Sequence, residues 1–159
     1  MTRTGIGYDS HRLAKGRRLI LGGVHVPSEQ GLAGHSDADV LTHAVIDALL
    51  GAAGLEDIGH HFPDTDERWK DADSIALLGA VMSMVDRARL RLVNVDCTLL
   101  IETPKVAPHR AKIRASLAGA LGVQPEYVNV KATTGEGIGF VGRGEGVAAL
   151  AIATLELVV

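Results

Sequence analysis

Apolar and polar positions alternate over residues 3–11. Ile6 and Tyr8 fall on one side, and Arg3, Gly5, Gly7, Asp9 and His11 on the other, which predicts a β-strand. The runs 18–21 and 24–26 flank Gly22-Gly23 and predict two short strands. Val40, Leu41, Ala44, Val45, Ala48 and Leu49 recur at helical spacing, so a helix capped by Ser36 is expected to run to about Ala53. Gly54, Gly59, Pro63 and many carboxylates mark 54–72 as loop. A second helix, 74–88, turns Ile75, Leu78, Met82 and Val85 inward. A strand over 92–102 buries Val93, Val95, Cys97, Leu99 and Ile101. Pro108 suits the first turn of a third helix ending near Gly122. A strand over 127–134, a glycine-rich loop to Gly146 and a last strand over 147–159 complete the chain.

Strands and helices mix without strict alternation. The expectation is an α+β fold, a mixed sheet with helices packed on one face, in one domain spanning 1–159. The last strand is apolar on both sides: Val147, Ala149, Ala151 and Ala153 on one, Ala148, Leu150 and Ile152 on the other. Such a strand needs cover on both faces. A partner subunit or a second helix layer would supply it.

Composition narrows the field. Of 159 residues 47% are apolar but only 3% aromatic, so the core is aliphatic. A net charge of −3 gives no basic field for nucleic acid or anionic membrane. Cys97 is the sole cysteine and makes no internal disulfide or thiolate metal site. The first residues lack a secretory apolar core, and 147–155 is too short to span a bilayer. A cytoplasmic protein is expected, or one from a plastid-type organelle after removal of a targeting segment.

Asp9 and His11 share one side of the first strand, and Gly5 and Gly7 leave that side uncrowded. Asp39, His43 and Asp47 form a polar stripe along the first helix. Packing of that helix on that strand would bring Asp9, His11 and His43 together. Two imidazoles and a carboxylate are a zinc set with an open position, and Asp47 would then orient His43. Taken alone, Asp-x-His more commonly ends a strand in solvent, and His60-His61 reads as a solvated pair. The block 34–39 reads either as a helix start or as a phosphate site, with His35 and Ser36 beside a helix N-terminus. Six glycines between 135 and 146 permit close backbone approach to an anion, or a flexible connection. Arg143 can fork onto phosphate, and Glu136 can hold a hard cation. Lys105 and the carboxylates around 57–66 suit phosphate and polyol contacts, or ordinary turns.

Gly-Tyr-Asp-Ser-His (7–11), Gly-His-Ser-Asp-Ala-Asp-Val (34–40), His43, Asp-Ile-Gly (57–59), Phe-Pro-Asp-Thr-Asp (62–66), Asn-Val-Asp (94–96), Pro-Lys (104–105), Asn-Val-Lys-Ala-Thr-Thr (129–134) and Gly-Arg-Gly-Glu-Gly (142–146) occur in this order. Together they resemble the methylerythritol cyclodiphosphate synthase family from about residue 3 onward. The resemblance implies a homotrimer with active sites between neighbouring subunits. It also implies conversion of 4-diphosphocytidyl-2-C-methyl-D-erythritol 2-phosphate to the 2,4-cyclodiphosphate and CMP. Asp9, His11 and His43 would bind Zn2+, and Glu136 would bind Mg2+ or Mn2+. His35 and Thr134 would assist the transition state. Ser36, Asp57, Gly59 and Asp64 would contact the methylerythritol phosphate, with Phe62 and Asp66 of the same motif also binding substrate. Ile101, Pro104, Lys105, Ala107 and Thr133 would form the cytidine diphosphate pocket. Phe140 and Arg143 would line an axial cavity able to take an isoprenoid diphosphate. Gly135 stands where the family commonly has Thr, and Ser10 and Gly34 where bulkier apolar residues are common. A zinc phosphohydrolase and a non-enzymatic, isoprenoid-diphosphate-binding trimer are the alternative readings.

Overall fold

The computed structural model describes residues 1–158. Its first strand, β1 (Thr2–Lys15), is longer than the alternation predicts. The hairpin β2 (Leu19–Leu21) and β3 (Val24–Val26) forms as expected, and β4 (Gln30–Leu32) was not foreseen. Helix α1 (Val40–Ala53) follows. The stretch read as loop holds a one-turn helix, α2 (Ile58–His61), and a 3-10 turn over Glu67–Trp69. Then come α3 (Ser74–Arg87), β5 (Leu90–Leu100), α4 (Arg110–Leu121) and β6 (Val128–Thr133). A one-turn helix, α5 (Gly139–Gly142), sits in the glycine-rich loop before β7 (Gly146–Leu157). The last predicted position of that strand, Val159, lies outside the described residues.

The main sheet runs β4-β1-β7-β5-β6. β1, β7 and β5 pair antiparallel, and β5 and β6 parallel, so the sheet is mixed. A bulge between Leu92 and Asn94 breaks the expected alternation of β5, leaving Val93 only half-buried. Odd residues of β1 and β7 face the helices. Gly5, Gly7, Val147, Ala149, Ala151 and Ala153 are all buried there. Even residues face away: Ile6 is 70% exposed, Tyr8 54% and Ile152 44%. The helices therefore cover one face of the sheet, and the apolar opposite face is bare in the single chain.

Helix α1 is buried nearly all round, including Ile46 and Leu50 beyond the predicted stripe. It lies between the sheet and α3, so both of its sides are covered. Its approach to β1 is set by glycine. A β-carbon on Gly7 would lie 1.9 Å from the Ala44 carbonyl oxygen, and one on Gly5 2.1 Å from that of Ala48. The two glycines thus admit the helix backbone itself rather than leaving open space.

Ser36 does not cap α1. Asp39 does, accepting from the Thr42 amide at 3.0 Å and the Thr42 hydroxyl at 2.7 Å. Its carboxylate also takes the Gly22 and Gly23 amides at 2.9 and 2.7 Å, tying the β2–β3 turn to the helix. Asp39, one end of the expected polar stripe, is fully buried. Among the described residues, no helix is long and apolar enough to cross a membrane.

A candidate metal-binding active site

Because α1 rests on the two glycines of β1, His43 comes down beside Asp9 and His11. Asp9 Oδ2 lies 2.7 Å from His11 Nε2 and 3.1 Å from His43 Nδ1, and the two ring nitrogens are 3.3 Å apart. One ligand atom from each residue thus faces a common point.

The proton positions follow from the partners. His11 Nδ1 lies 2.9 Å from the Ala33 carbonyl oxygen, which only accepts, so Nδ1 carries the proton. The lone pair of Nε2 then points at Asp9. Lone pairs converging on an ionised carboxylate repel unless a proton or a cation lies among them, and two imidazoles with one carboxylate are an established divalent-metal donor set. Without a cation, protons serve instead. Burial works against the Asp9 charge, but hydrogen bonds and the charges of His11 and His43 outweigh it and pull its pKa down to about 2. Burial likewise opposes protonation of His11, but Asp9 prevails and raises the His11 pKa.

The triad opens on a cavity of about 400 Å³ lined also by Gly34, His35, Ser36, Ile58, Gly59, Phe62, Pro63, Asp64, Trp69 and Leu77. His35, Ser36, Gly59, Phe62 and Asp64 therefore line the same cavity as the triad. His35 is fixed by its Nε2–H donating to the Asp66 carbonyl at 3.2 Å. The Asp66 carboxylate itself is engaged by Arg68 at 2.6–3.1 Å. Asp57 caps α2 through the His60 amide at 2.9 Å and supports Gly59 rather than lining the cavity. Of the His60-His61 pair, His60 is exposed as expected, whereas His61 is half-buried and its Nε2–H donates to the Leu55 carbonyl at 2.7 Å.

Asp47 does not orient His43. Its carboxylate accepts the Ile58 amide at 2.8 Å, pinning α2 to α1, because the helix turns Asp47 toward that loop. Burial, with the nearby charges of Asp57 and Asp9, raises its pKa despite the Ile58 hydrogen bond. His43 Nε2 instead meets the Ser74 hydroxyl at 2.8 Å and the Ser36 hydroxyl at 3.2 Å.

The other predicted residues lie elsewhere. His11 pairs with Val147 and Leu100 with Ala148, so the ends of β1, β5 and β6 share one end of the sheet. At about 4.8 Å per strand, β6 is about 14 Å from β1. Thr133 is exposed on the bare face, and Ile101 is buried. Lys105 and Ala107 are exposed, while Pro104, which follows a cis peptide bond, lines a separate cavity of about 240 Å³ with Leu13, Ser28, Glu29, Gln30 and Thr103. Phe140 lines a third with Ser10, His11, Arg12, Glu145 and Gly146, and Arg143 pairs with Glu145 at 3.1 Å.

The glycine-rich loop is ordered by hydrogen bonds that its sequence alone did not suggest. Glu102 accepts the Gly135 amide at 2.7 Å and the Gly137 amide at 3.2 Å, so these N–H groups are occupied rather than offered to an anion. The Thr134 hydroxyl accepts the Glu136 amide at 3.2 Å. A β-carbon on Gly135 would lie 2.5 Å from the Gly142 nitrogen, so this conformation excludes threonine there. At Gly34 the fit is tight rather than closed: a β-carbon would lie 3.0 Å from His11 Nδ1 and from the Ala38 β-carbon.

Sequence reasoning also passed over Arg17, Trp69 and Asp37. Arg17 reaches the carbonyls of Leu32, Gly34 and Ser36 at 3.1–3.3 Å and grips the segment carrying His35 and Ser36. Trp69 packs edge-on against Phe62, its buried indole N–H without a partner. Asp37 lay inside a quoted motif, but nothing in the spacing linked it to Ser74.

Fold and site together define an α+β protein with a three-residue set able to hold a divalent metal, opening on a cavity. The chain belongs to the YgbB family, which it matches over residues 2–156. It is 62% identical over 154 residues to the 2-C-methyl-D-erythritol 2,4-cyclodiphosphate synthase of Salinibacter ruber, covering 97% of this chain and 98% of that one. It is 60% identical over 152 residues to the bifunctional enzyme IspD/IspF of Anaeromyxobacter dehalogenans, spanning 96% of this chain but 39% of that protein. Among solved structures, the bifunctional IspDF of Campylobacter jejuni superposes with a TM-score of 0.96 at 40% identity, over 99% of this chain and 43% of that one. A 2C-methyl-D-erythritol-2,4-cyclodiphosphate synthase in its CDP-bound form superposes with a TM-score of 0.89 at 38% identity, over 97% and 100%.

Proposed function

We propose that this protein converts 4-diphosphocytidyl-2-C-methyl-D-erythritol 2-phosphate to 2-C-methyl-D-erythritol 2,4-cyclodiphosphate and CMP in isoprenoid precursor synthesis. The carrying observation is the convergence of Asp9, His11 and His43 on one point beside a cavity, in a chain so similar to synthases of that name. An oxygen of the substrate's own 2-phosphate attacks the β-phosphorus, and the bond to the CMP phosphate breaks. The nucleophile is already ionised, so no activated serine or cysteine is needed. Burial pushes the Cys97 thiol up to about 12, in keeping with an inert role.

The barrier lies in crowding phosphates together, which calls for cations and positioning. Asp9, His11 and His43 would hold Zn2+, which when bound would supply Lewis-acid polarisation of the phosphate oxygens. Glu136 would hold Mg2+ or Mn2+, whose charge would offset that of the crowded phosphates. His35, anchored through Nε2, and Thr134, whose oxygen already accepts the Glu136 amide, assist the transition state. Ser36, Gly59, Phe62 and Asp64 surround the methylerythritol phosphate, with Asp57 at the α2 cap and Asp66, whose carbonyl holds His35, supporting that wall. Ile101, Pro104, Lys105, Ala107 and Thr133 hold the cytidine diphosphate.

A homotrimer unites these two groups. Within one chain the triad lies under the helices while Thr133 faces the bare side, so a neighbour's strand ends complete the site. The exposed Ile6, Tyr8, Leu150 and Ile152 favour that assembly, since so large an apolar face suits a partner. Phe140 and Arg143 then lie toward the axis, at a cavity suited to an isoprenoid diphosphate. The whole chain acts as one domain in the cytoplasm.

Phosphorus NMR of a turnover mixture tests the reaction. Cyclic diphosphate and CMP in equal amounts, abolished by chelation, are expected. A linear phosphate that takes up solvent oxygen would instead identify a hydrolase.

A further inference from the structure

We infer that Ser74 and Asp37 are positioning residues that fix the proton of His43 on Nε2 and so present Nδ1 to the metal. The inference rests on the metal reading of the triad and concerns residues to which that reading gives no role. Ser74, the first residue of α3, is fully buried, and its hydroxyl has two near partners. One is the Asp37 carboxylate, in a short hydrogen bond to Oδ1, while the Ser74 amide donates to Oδ2 at 3.0 Å. The other is His43 Nε2 at 2.8 Å.

A hydroxyl has one proton, and an ionised carboxylate only accepts. The Ser74 proton therefore goes to Asp37. Its oxygen can then only accept from His43, so Nε2 bears hydrogen. Nδ1 is left with its lone pair aimed at the point shared by Asp9 and His11. The Asp39 amide also donates to Asp37 Oδ1 at 3.1 Å, which holds that carboxylate in its accepting role. Supporting partners of this kind set the tautomer and ring direction of metal-bound histidines.

The arrangement also governs Ser36. Its oxygen accepts the Ala38 amide at 3.2 Å and lies 3.2 Å from the same protonated Nε2. A nitrogen that bears hydrogen cannot accept and the Ala38 amide only donates, so the Ser36 proton stays available for a phosphate oxygen in the cavity that Ser36 lines. One buried relay thus sets a metal-facing nitrogen and a ligand-facing hydroxyl together.

The test uses the full chain with ¹⁵N-labelled histidine, loaded with zinc alone, together with zinc affinity by chelator competition. The wild type is expected to show His43 bound through Nδ1 with a slowly exchanging proton on Nε2. Ser74→Ala is expected to bind zinc about ten- to a hundredfold more weakly and to lose the slow exchange. The variant should fold, because Asp73 still caps α3 and alanine favours helices. Asp37→Ala frees the Ser74 hydroxyl to donate to Nε2 and should weaken zinc in the same way. Zinc on His43 Nε2 in the wild type, or Ser74→Ala affinity within twofold of wild type, overturns the inference. Failure of the wild type to bind zinc at the triad would instead overturn the metal reading on which it rests.

Discussion

Gly7 lies directly beneath Ala44, with no room for a side chain between strand and helix: a β-carbon there would sit 1.9 Å from the Ala44 carbonyl oxygen. Ala44 follows His43, and Gly7 precedes Asp9 by two, so this contact sets the depth at which the metal ligands meet. Gly7→Ala must push backbone from backbone, since no flexible side chain can yield. The expected loss is about 3 kcal/mol or more, read by thermal or denaturant unfolding, with weaker zinc binding. Stability within about 1 kcal/mol of wild type would refute this account.

A second prediction concerns pH. Asp9 titrates near 2 when folded, so it contributes stability above the usual carboxylate range, lost as pH falls from about 4 toward 2. His11 has a raised folded pKa, so its contribution is full below about 6.5 and lost as pH rises through the folded value. The stability difference between chelated wild type and a His11→Asn variant should shrink as pH rises above about 6.5 and through the folded value. Zinc reverses that trend, because it needs His11 neutral. Melting curves with and without chelator read both effects. A difference that grows with pH in the chelated protein would contradict the assignment.

Glu102 offers a third. Its carboxylate holds the Gly135 and Gly137 amides and thereby aims Thr134 and Glu136. Glu102→Ala should lower turnover by about a hundredfold through misplacement while leaving zinc affinity unchanged. Parallel loss of zinc and turnover would show a wider disturbance.

The bare sheet face gives the fourth. Ile152→Asp places a charge on the apolar side of β7 without touching the triad. Light scattering should find monomers that still bind zinc and do not turn over substrate. A fully active monomer would exclude a shared site.

Much of this was legible in the sequence because strong local patterns agreed with tertiary packing. The alternation around Asp9 and His11, the helical spacing of α1 and the two-sided apolar last strand all fixed faces correctly. What escaped depended on groups distant in the chain. The cap of α1 fell to Asp39 rather than Ser36 because the Gly22 and Gly23 amides needed a buried acceptor. His43 found Ser74, 31 residues on, instead of Asp47, one helical turn away. Glu102 ordered a loop 33 residues downstream whose glycines suggested only freedom or anion binding. Side-chain pairing across such separations leaves no periodicity to read.

The separation of the triad from Thr133, across the sheet and on its opposite side, has a genetic corollary under the trimeric reading. A chain lacking His43 and a chain lacking Glu136 are each inactive alone. Co-expressed, they assemble some interfaces in which the intact zinc ligands of one meet the intact loop of the other. Two null alleles of this gene should therefore complement each other within a cell, whereas two alleles damaged in the same half of the site should not.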